Sequence, residues 1–127
     1  MNILVVDDEA VLVESINIGL QSKGHQVIAA YGGQEALDHL FEGGRRIDMV
    51  ITDYLMPGMN GIDLLVAIRQ RAPTLPVVLM TAYGETKLVI EALKNKCDGF
   101  LEKPFTLDHL IQEIEDINEW RLHGKTP

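Results

Sequence analysis

The sequence has little of several features that would assign it to particular classes of protein. It contains one cysteine, Cys97, which excludes an internal disulfide and is typical of a reducing compartment. No apolar run approaches the roughly 20 residues that a helix needs to cross a bilayer. Basic residues are scarce, since 11 Lys and Arg stand against 19 Asp and Glu, and this argues against binding to a nucleic-acid backbone. We therefore expect a soluble, cytoplasmic protein that binds neither nucleic acid nor a membrane.

What the chain does have is the composition of one globular domain. Of its 127 residues, 46% are hydrophobic and 24% are charged, and this length is enough to bury a core. No internal repeat, low-complexity tract or linker interrupts it. We expect a single domain at residues 1–120 and a polar C-terminal tail at residues 121–127.

Short apolar stretches alternate with longer stretches of helical period, which indicates βαβ units and a parallel sheet. The apolar stretches are nearly continuous, as in strands that are covered on both faces. The expected strands are residues 2–6, 26–30, 48–52, 76–80 and 99–102. The expected helices are residues 10–22, 34–41, 61–71, 85–94 and 106–120, the last capped by Thr106 or Asp108. The pattern predicts a doubly wound, three-layer α/β fold with the strand order 2-1-3-4-5.

Four of the five predicted strands are followed by a reactive side chain. Asp7 and Asp8 follow the first strand, Asp53 the third, Thr81 the fourth and Lys103 the fifth. Ligands of an open parallel sheet bind at the carboxyl ends of its strands. We therefore expect these five side chains to meet at one edge of the sheet, while the second strand, which lacks such a group, lies at the side.

The three aspartates favour a divalent cation. Asp7, Asp8 and Asp53 would repel one another if they were gathered within a few ångströms, and a hard cation removes that repulsion. Mg²⁺, with Mn²⁺ as an alternative, is typically held by one or two carboxylates and by phosphate oxygens. The competing interpretation is that Asp7 or Asp8 only caps the following helix. We favour the metal, because an adjacent pair of acids meets a third.

The remaining groups at this edge suit phosphoryl chemistry. Asp53 can act as a nucleophile toward phosphorus, Lys103 supplies a point charge, and Thr81 supplies a hydroxyl donor. The alternatives are that Lys103 is an ordinary surface lysine and that Thr81 caps the helix which begins near Tyr83. Lys103 precedes Pro104, however, and a cis bond there would direct the ammonium inward.

Taken together, these motifs resemble those of bacterial response-regulator receiver domains, over about residues 2–118. They are Val5-Val6-Asp7-Asp8-Glu9, Asp53-Tyr54-Leu55-Met56-Pro57-Gly58-Met59-Asn60-Gly61, Thr81-Ala82 and Lys103-Pro104-Phe105. The resemblance implies a flavodoxin-like (βα)₅ sandwich. It also implies a signalling domain of a two-component system, which is not a turnover enzyme.

The resemblance assigns roles at the site. Asp53 would accept a phosphoryl group from the phosphohistidine of a sensor kinase or a phosphotransfer protein. Asp8, Asp53 and the backbone carbonyl of Leu55 would bind Mg²⁺ directly, and Asp7 would act through a water. Lys103 would contact the phosphoryl oxygens, and Thr81 would hydrogen-bond one of them after transfer.

The same resemblance implies a switch and its partners. The movement of Thr81 would draw Phe100 inward, and the face of the fourth helix, fifth strand and fifth helix would rearrange to control an output domain or a downstream protein. Many receivers have Tyr where this chain has Phe100, so we expect a switch driven by packing alone. The run at Phe100–Phe105 resembles the nitrogen-regulation type of receiver. A homodimer linked to phosphorylation is a further expectation.

Two residues bear on the lifetime of the phosphoryl group. The resemblance implies that the side chains of Leu55 and Tyr83 flank the path of the attacking water. Neither is an acid or amide that orients water, so we expect slow self-dephosphorylation. A Mg²⁺-dependent phosphohydrolase would need an acid at position 55. A nucleotide-binding module would need a phosphate loop where Asp7-Asp8-Glu9 stands. The third alternative is a receiver-like interaction module that has lost phosphotransfer.

Overall fold

The computed structural model describes residues 1–82 and 86–123, and five strands alternate with five helices along them. The strands are β1 (Asn2–Val6), β2 (Gln26–Ala30), β3 (Met49–Asp53), β4 (Val77–Ala82) and β5 (Gly99–Lys103). The helices are α1 (Ala10–Gln21), α2 (Gly33–Phe41), α3 (Gly61–Arg71), α4 (Thr86–Lys94) and α5 (Leu107–His123). All strand pairs are parallel, in the order β2-β1-β3-β4-β5. The predicted fold and strand order are confirmed.

Two apolar cores lie on the two faces of the sheet, because alternate residues of a strand point to opposite faces. In β1, Leu4 packs into the core that contains Leu64 and Leu65 of α3. Its neighbour Ile3 packs into the other core, with Leu20 of α1 and residues of α5. This alternation makes the strands apolar along their whole length and gives the three layers.

Three strands extend further toward the site than the sequence predicts. Asp53 is the last residue of β3 and pairs with Met80, and Thr81 lies within β4, opposite Glu102. Lys103 is likewise the last residue of β5. The predicted strands stopped where the apolar residues stop, whereas the backbone pairing continues through the reactive residues. The sheet itself therefore holds these three side chains.

The last helix also runs beyond its predicted end, to His123. Arg121 donates a hydrogen bond to the backbone carbonyl of Thr74, so residues 121–123 of the predicted tail are helical and are tied to the domain. The rest of that tail, residues 124–127, lies outside the described residues. At its start, the Thr106 hydroxyl accepts a hydrogen bond from the N–H of His109 at 3.1 Å, which identifies Thr106 as the cap. Within the described ranges, no helix has the length and apolar character needed to cross a bilayer.

Candidate functional site

Three carboxylates meet at the carboxyl end of the sheet. Asp7 and Asp8 follow β1 and Asp53 ends β3, and one oxygen of each lies within 4.8 Å of the others. Asp7 and Asp53 are buried, whereas Asp8 is exposed. The structure therefore brings together the acids that the sequence predicts, with the exposed one facing solvent.

Lys103 lies between two of these acids. Its Nζ is 3.1 Å from Asp7 Oδ2 and 3.2 Å from Asp53 Oδ1. The Lys103–Pro104 peptide bond is cis, as the sequence suggested. Glu9, to which the sequence assigned no role, also lies close, with Oε1 3.8 Å from the same ammonium. Lys103 is therefore part of the site and not a free surface lysine.

Asp7 has both of its oxygens engaged by the protein. Oδ2 accepts from Lys103, and Oδ1 accepts from the backbone N–H of Glu9 at 2.9 Å. The residue at the N-cap of α1 is Glu9, and its side chain forms no capping bond. Neither Asp7 nor Asp8 therefore occupies the capping position that the competing interpretation required.

The pKa values of Asp53 and Lys103 are shifted because several carboxylates lie close together at this site. Burial and the negative charge of Asp7 raise the pKa of Asp53. Together they outweigh the contact with Lys103, which lowers it. Burial by itself would lower the pKa of Lys103, but its hydrogen bonds and charge interactions with Asp7 and Asp53 outweigh burial, and the pKa is raised. One ammonium contacts two of the three clustered aspartates, so the site retains negative charge. This all-oxygen donor set fits a hard divalent cation.

The loop after Asp53 forms one wall of an open cavity of about 580 Å³. Leu55 lines that cavity and is 76% exposed. The loop is closed by a hydrogen bond from the N–H of Gly61 to the Tyr54 carbonyl at 2.8 Å. A Cβ on Gly61 would overlap the Asp53 carbonyl, so glycine is required here for the backbone to approach the acid. Sequence reasoning assigned Gly61 no such role, although it closes the motif.

Neither of the two predicted switch residues is among the residues that line this cavity. Thr81 is 3% exposed within β4, and its neighbour Ala82 lines the cavity instead. Phe100 is half-buried and packs against the core on the α3 side of the sheet. Tyr83, which figures in two predictions, lies outside the described residues.

A doubly wound domain with carboxylates and a lysine at the carboxyl edge of its sheet defines a class of proteins suited to bind a cation and a phosphoryl group. The chain belongs to the response regulator receiver domain family, whose model matches residues 3–115. It is thus a receiver domain of a two-component signalling system. Receiver domains act in signalling and are in general not turnover enzymes.

Relatives and solved structures agree with this assignment. The chain is 40% identical over 127 residues to the chemotaxis protein CheY of Pseudomonas aeruginosa, covering 98% of this chain and all of that one. It is 38% identical over 114 residues to the transcriptional regulatory protein FixJ of Bradyrhizobium diazoefficiens, covering 90% of this chain and 55% of the relative, so it spans about half the length of that regulator. A response regulator receiver domain protein from Clostridium thermocellum superimposes with a TM-score of 0.87 at 34% identity, covering 95% and 97% of the two chains.

Proposed function

We propose that Asp53 is the phosphoacceptor of this receiver domain and that it takes its phosphoryl group from the phosphohistidine of a sensor kinase or a phosphotransfer protein. The observation that carries the proposal is the position of the Lys103 ammonium, between the carboxylates of Asp7 and Asp53 and beside an open cavity. Asp53 is the member of the acid cluster at the end of the strand in the middle of the sheet. Burial also removes part of the water around the Asp53 carboxylate, so less water has to be displaced before it reacts with a phosphoryl donor.

In the transfer, an oxygen of the Asp53 carboxylate forms a bond to phosphorus while the bond from phosphorus to the histidine nitrogen breaks. The electron pair of that bond stays with the imidazole, which leaves neutral after taking up a proton. Lys103 balances the negative charge on the phosphoryl oxygens, for which its flexible stem is suited. Its contact with Asp53 in the present structure therefore gives way in part to a contact with the transferred group.

Mg²⁺, or Mn²⁺ in its place, would be held by Asp8, Asp53 and the backbone carbonyl of Leu55, with Asp7 acting through a water. The exposure of Asp8 supports a direct role, since its oxygens are open to an incoming ion. The two engaged oxygens of Asp7 support an indirect one. When bound, the cation neutralises charge on the carboxylates and on the transferred group.

The response to phosphorylation is proposed to pass through Thr81 and Phe100. The Thr81 hydroxyl donates a hydrogen bond to a phosphoryl oxygen, and the half-buried Phe100 moves further into the space that Thr81 leaves. Phe100 lacks a hydroxyl, so only packing distinguishes its two positions. The surface formed by α4, β5 and α5 then changes its affinity for an output domain, a downstream protein or a second copy of the chain. Relatives of this chain include both transcriptional regulatory proteins and a chemotaxis protein, so both kinds of output are compatible with the domain.

We further propose that the phosphoryl group is long-lived. Leu55 lies two residues after Asp53, lines the cavity and offers no polar atom in its side chain to orient water. A hydrolase that uses an aspartate nucleophile typically has a second acid at this point, which acts as general acid or base. Replacing Leu55 by Asn is expected to shorten the half-life of the phosphorylated protein by supplying such a polar group, and an unchanged or longer half-life would contradict this.

The phosphoacceptor role is tested by intact-mass measurement after incubation with acetyl phosphate and Mg²⁺. The wild-type chain is expected to gain one phosphoryl group. Asp53→Asn and metal-free wild type are expected to gain none, whereas Asp38→Asn, which changes an exposed aspartate on α2, behaves as wild type. A hydrolase would be favoured if phosphate is released, no phosphoryl adduct is detected, and beryllofluoride does not form a stable mimic of that adduct. A folded protein that shows neither adduct nor release would favour an interaction module.

A further inference from the structure

A groove runs between the outer edge of β5 and α5. β5 is the last strand of the sheet, and within residues 1–82 and 86–123 it pairs only with β4. Two adjoining cavities of about 450 and 400 Å³ lie along it, and Glu113 of α5 lines both. Their apolar lining includes Phe100, Phe105, Ile117 and Trp120. The groove therefore combines apolar surface with an unpaired strand edge.

The charged groups along this groove are almost all of one sign. Among the residues that the structure describes, neither Lys nor Arg lines it, and His109 is the one lining residue with a basic side chain. The lining carboxylates are those of Asp98, Glu102, Glu113 and Asp116. Asp98 is already paired with Arg69 at 2.7 Å. For the other three, the described part of the chain provides no Lys, Arg or His nitrogen within 4.0 Å.

Glu113 is the most constrained of these acids. Burial raises its pKa, the N–H of Phe100 lowers it, and the charge of Asp116 raises it again. Its carboxylate is thus partly removed from water, and no described cationic group lies within 4.0 Å of it. Burial removes part of the stabilisation that water gives to the charged carboxylate, and a cation of a partner molecule would replace it. Charge complementarity of this kind selects a partner.

We propose that this groove is the docking site for a basic segment of a partner protein. An apolar side chain of that segment lies against Trp120 and Ile117, and flanking Lys or Arg side chains pair with Glu113 and Asp116. A central apolar anchor with charged neighbours is a common arrangement at protein interfaces. The inference rests on the proposed function, because the groove belongs to the α4-β5-α5 surface, and it adds the chemistry of the partner.

A second copy of this chain fits the groove less well than a basic segment does. In a symmetric dimer the same patch contacts itself, so groove-to-groove pairing would bring the acidic lining of one copy against the acidic lining of the other. Like charges opposed across an interface are unfavourable. The charges therefore favour a different molecule as the occupant.

The test uses the full 127-residue chain, in which Trp120 is the only tryptophan and reports directly on the groove. Random peptides of about 12 residues displayed on phage are selected on the phosphorylated and the unphosphorylated wild type, and the Glu113→Gln/Asp116→Asn variant serves for counter-selection. Basic peptides with an apolar residue are expected to be enriched and to shift the Trp120 emission. Their Kd is expected to rise by about tenfold or more in the double variant.

A matched variant, Glu14→Gln/Glu115→Gln, loses two exposed carboxylates that do not line the groove. It is expected to bind the same peptides within about twofold of wild type, given the small effect of remote surface charges. Equal weakening in both variants would overturn the proposal, since it would reduce the binding to overall charge. Enrichment of acidic or neutral peptides, or of no peptides, would overturn it too. So would a dimer, detected by ultracentrifugation, whose formation protects Trp120 from solvent.

The phosphoryl adduct is measured by mass in the same samples, which separates this proposal from the proposed function. An adduct without binding of basic peptides rejects the groove alone. Binding of basic peptides to the groove without an adduct rejects the phosphoacceptor role alone.

Discussion

The two ends of the sheet differ in how far their carboxylates are balanced by cationic side chains and hydrogen-bond donors. At the carboxyl end, three aspartates cluster and the ammonium of Lys103 contacts two of them, Asp7 and Asp53. The pKa of Asp53 is raised by burial and by the charge of Asp7. At the amino end, the side chain of Arg69 is 12% exposed and lies 2.7 Å from Asp98 Oδ2. That carboxylate oxygen also accepts from the N–H of Val77 at 2.8 Å. At the carboxyl end the aspartates outnumber the cationic groups beside them, whereas at the amino end Asp98 is paired with Arg69.

The Arg69 guanidinium also connects elements that are far apart in the chain. It donates to the backbone carbonyls of Ala72, Leu75 and Lys96, and so joins the end of α3 to the turn between α4 and β5. Lys96 has a φ of 65°, a left-handed conformation that is uncommon for a residue with a side chain. The comparison shows that residues at the amino end are arranged for stability, whereas those at the carboxyl end are arranged for a ligand at some cost to stability.

The largest effect is expected from breaking the contacts at the amino end. Arg69→Met would remove the cation beside Asp98 and the guanidinium donor of three carbonyls, and we expect the free energy of unfolding to fall by about 2–4 kcal/mol. Urea unfolding measures this. Arg45→Met, which removes an exposed arginine from the loop before β3, is the control and should change stability by less than about 0.5 kcal/mol. Similar losses in both variants would show that the amino end is not held by Arg69.

The next effect concerns the carboxyl end when Mg²⁺ is supplied. A ligand that binds only the folded state stabilises it by about 2.7 kcal/mol at one hundred times its Kd. We expect the thermal midpoint of wild type to rise with Mg²⁺ concentration, and that of Asp8→Asn to rise much less. Asp38→Asn should respond as wild type does. A rise in Asp8→Asn equal to that of wild type would place the cation elsewhere.

Without metal, removing one charge from the carboxyl end is expected to stabilise the protein. Asp53→Asn relieves the repulsion with Asp7 and the burial of a charge, and we expect a gain of roughly 1 kcal/mol at neutral pH in the presence of a chelator. The same substitution is expected to abolish phosphorylation, so we expect activity and stability to change in opposite directions. A loss of stability in denaturant unfolding would mean that the contact with Lys103 outweighs the repulsion.

The smallest effect is a pH dependence at Glu113, beside β5. Its folded pKa is raised by burial, so its contribution to stability is fully present below the unfolded pKa of about 4.3. That contribution is lost as pH rises through the folded pKa. The stability of wild type relative to Glu113→Gln should therefore fall between acidic and neutral pH. A difference that stays constant, or that rises with pH, in unfolding curves at several pH values would contradict the direction of the shift.

Much of the fold and of the acid cluster could be predicted from the sequence, because both depend on local patterns. Apolar strands ending in Asp7, Asp53 and Lys103 define the edge of a parallel sheet whatever the details of packing. The cis bond before Pro104 was likewise a local property. The boundaries were less accurate, since backbone pairing carries β3 through Asp53 although the apolar pattern has already ended.

The features that could not be predicted depend on tertiary contacts. Arg69 and Asp98 are 29 residues apart, and an arginine near the end of a helix is usually solvated, so nothing in the pattern indicates their pairing. The contact of Arg121 with the carbonyl of Thr74 joins residues that are likewise far apart in the chain. In α1, apolar residues occur around the helix, and the sequence alone does not show that Val11 and Ile18 are exposed while Ile16 is buried.

The most direct test of the central claim is to locate the phosphoryl group. The chain phosphorylated by acetyl phosphate is treated with borohydride, which reduces an acyl phosphate to an alcohol, and the modified aspartate is then identified by peptide mass spectrometry. The structure predicts modification at Asp53, with Asp7 and Asp8 unmodified and with loss of the signal in Lys103→Ala or without Mg²⁺. Modification at Asp8, or at any residue outside the cluster, would contradict the assignment of Asp53 as the phosphoacceptor.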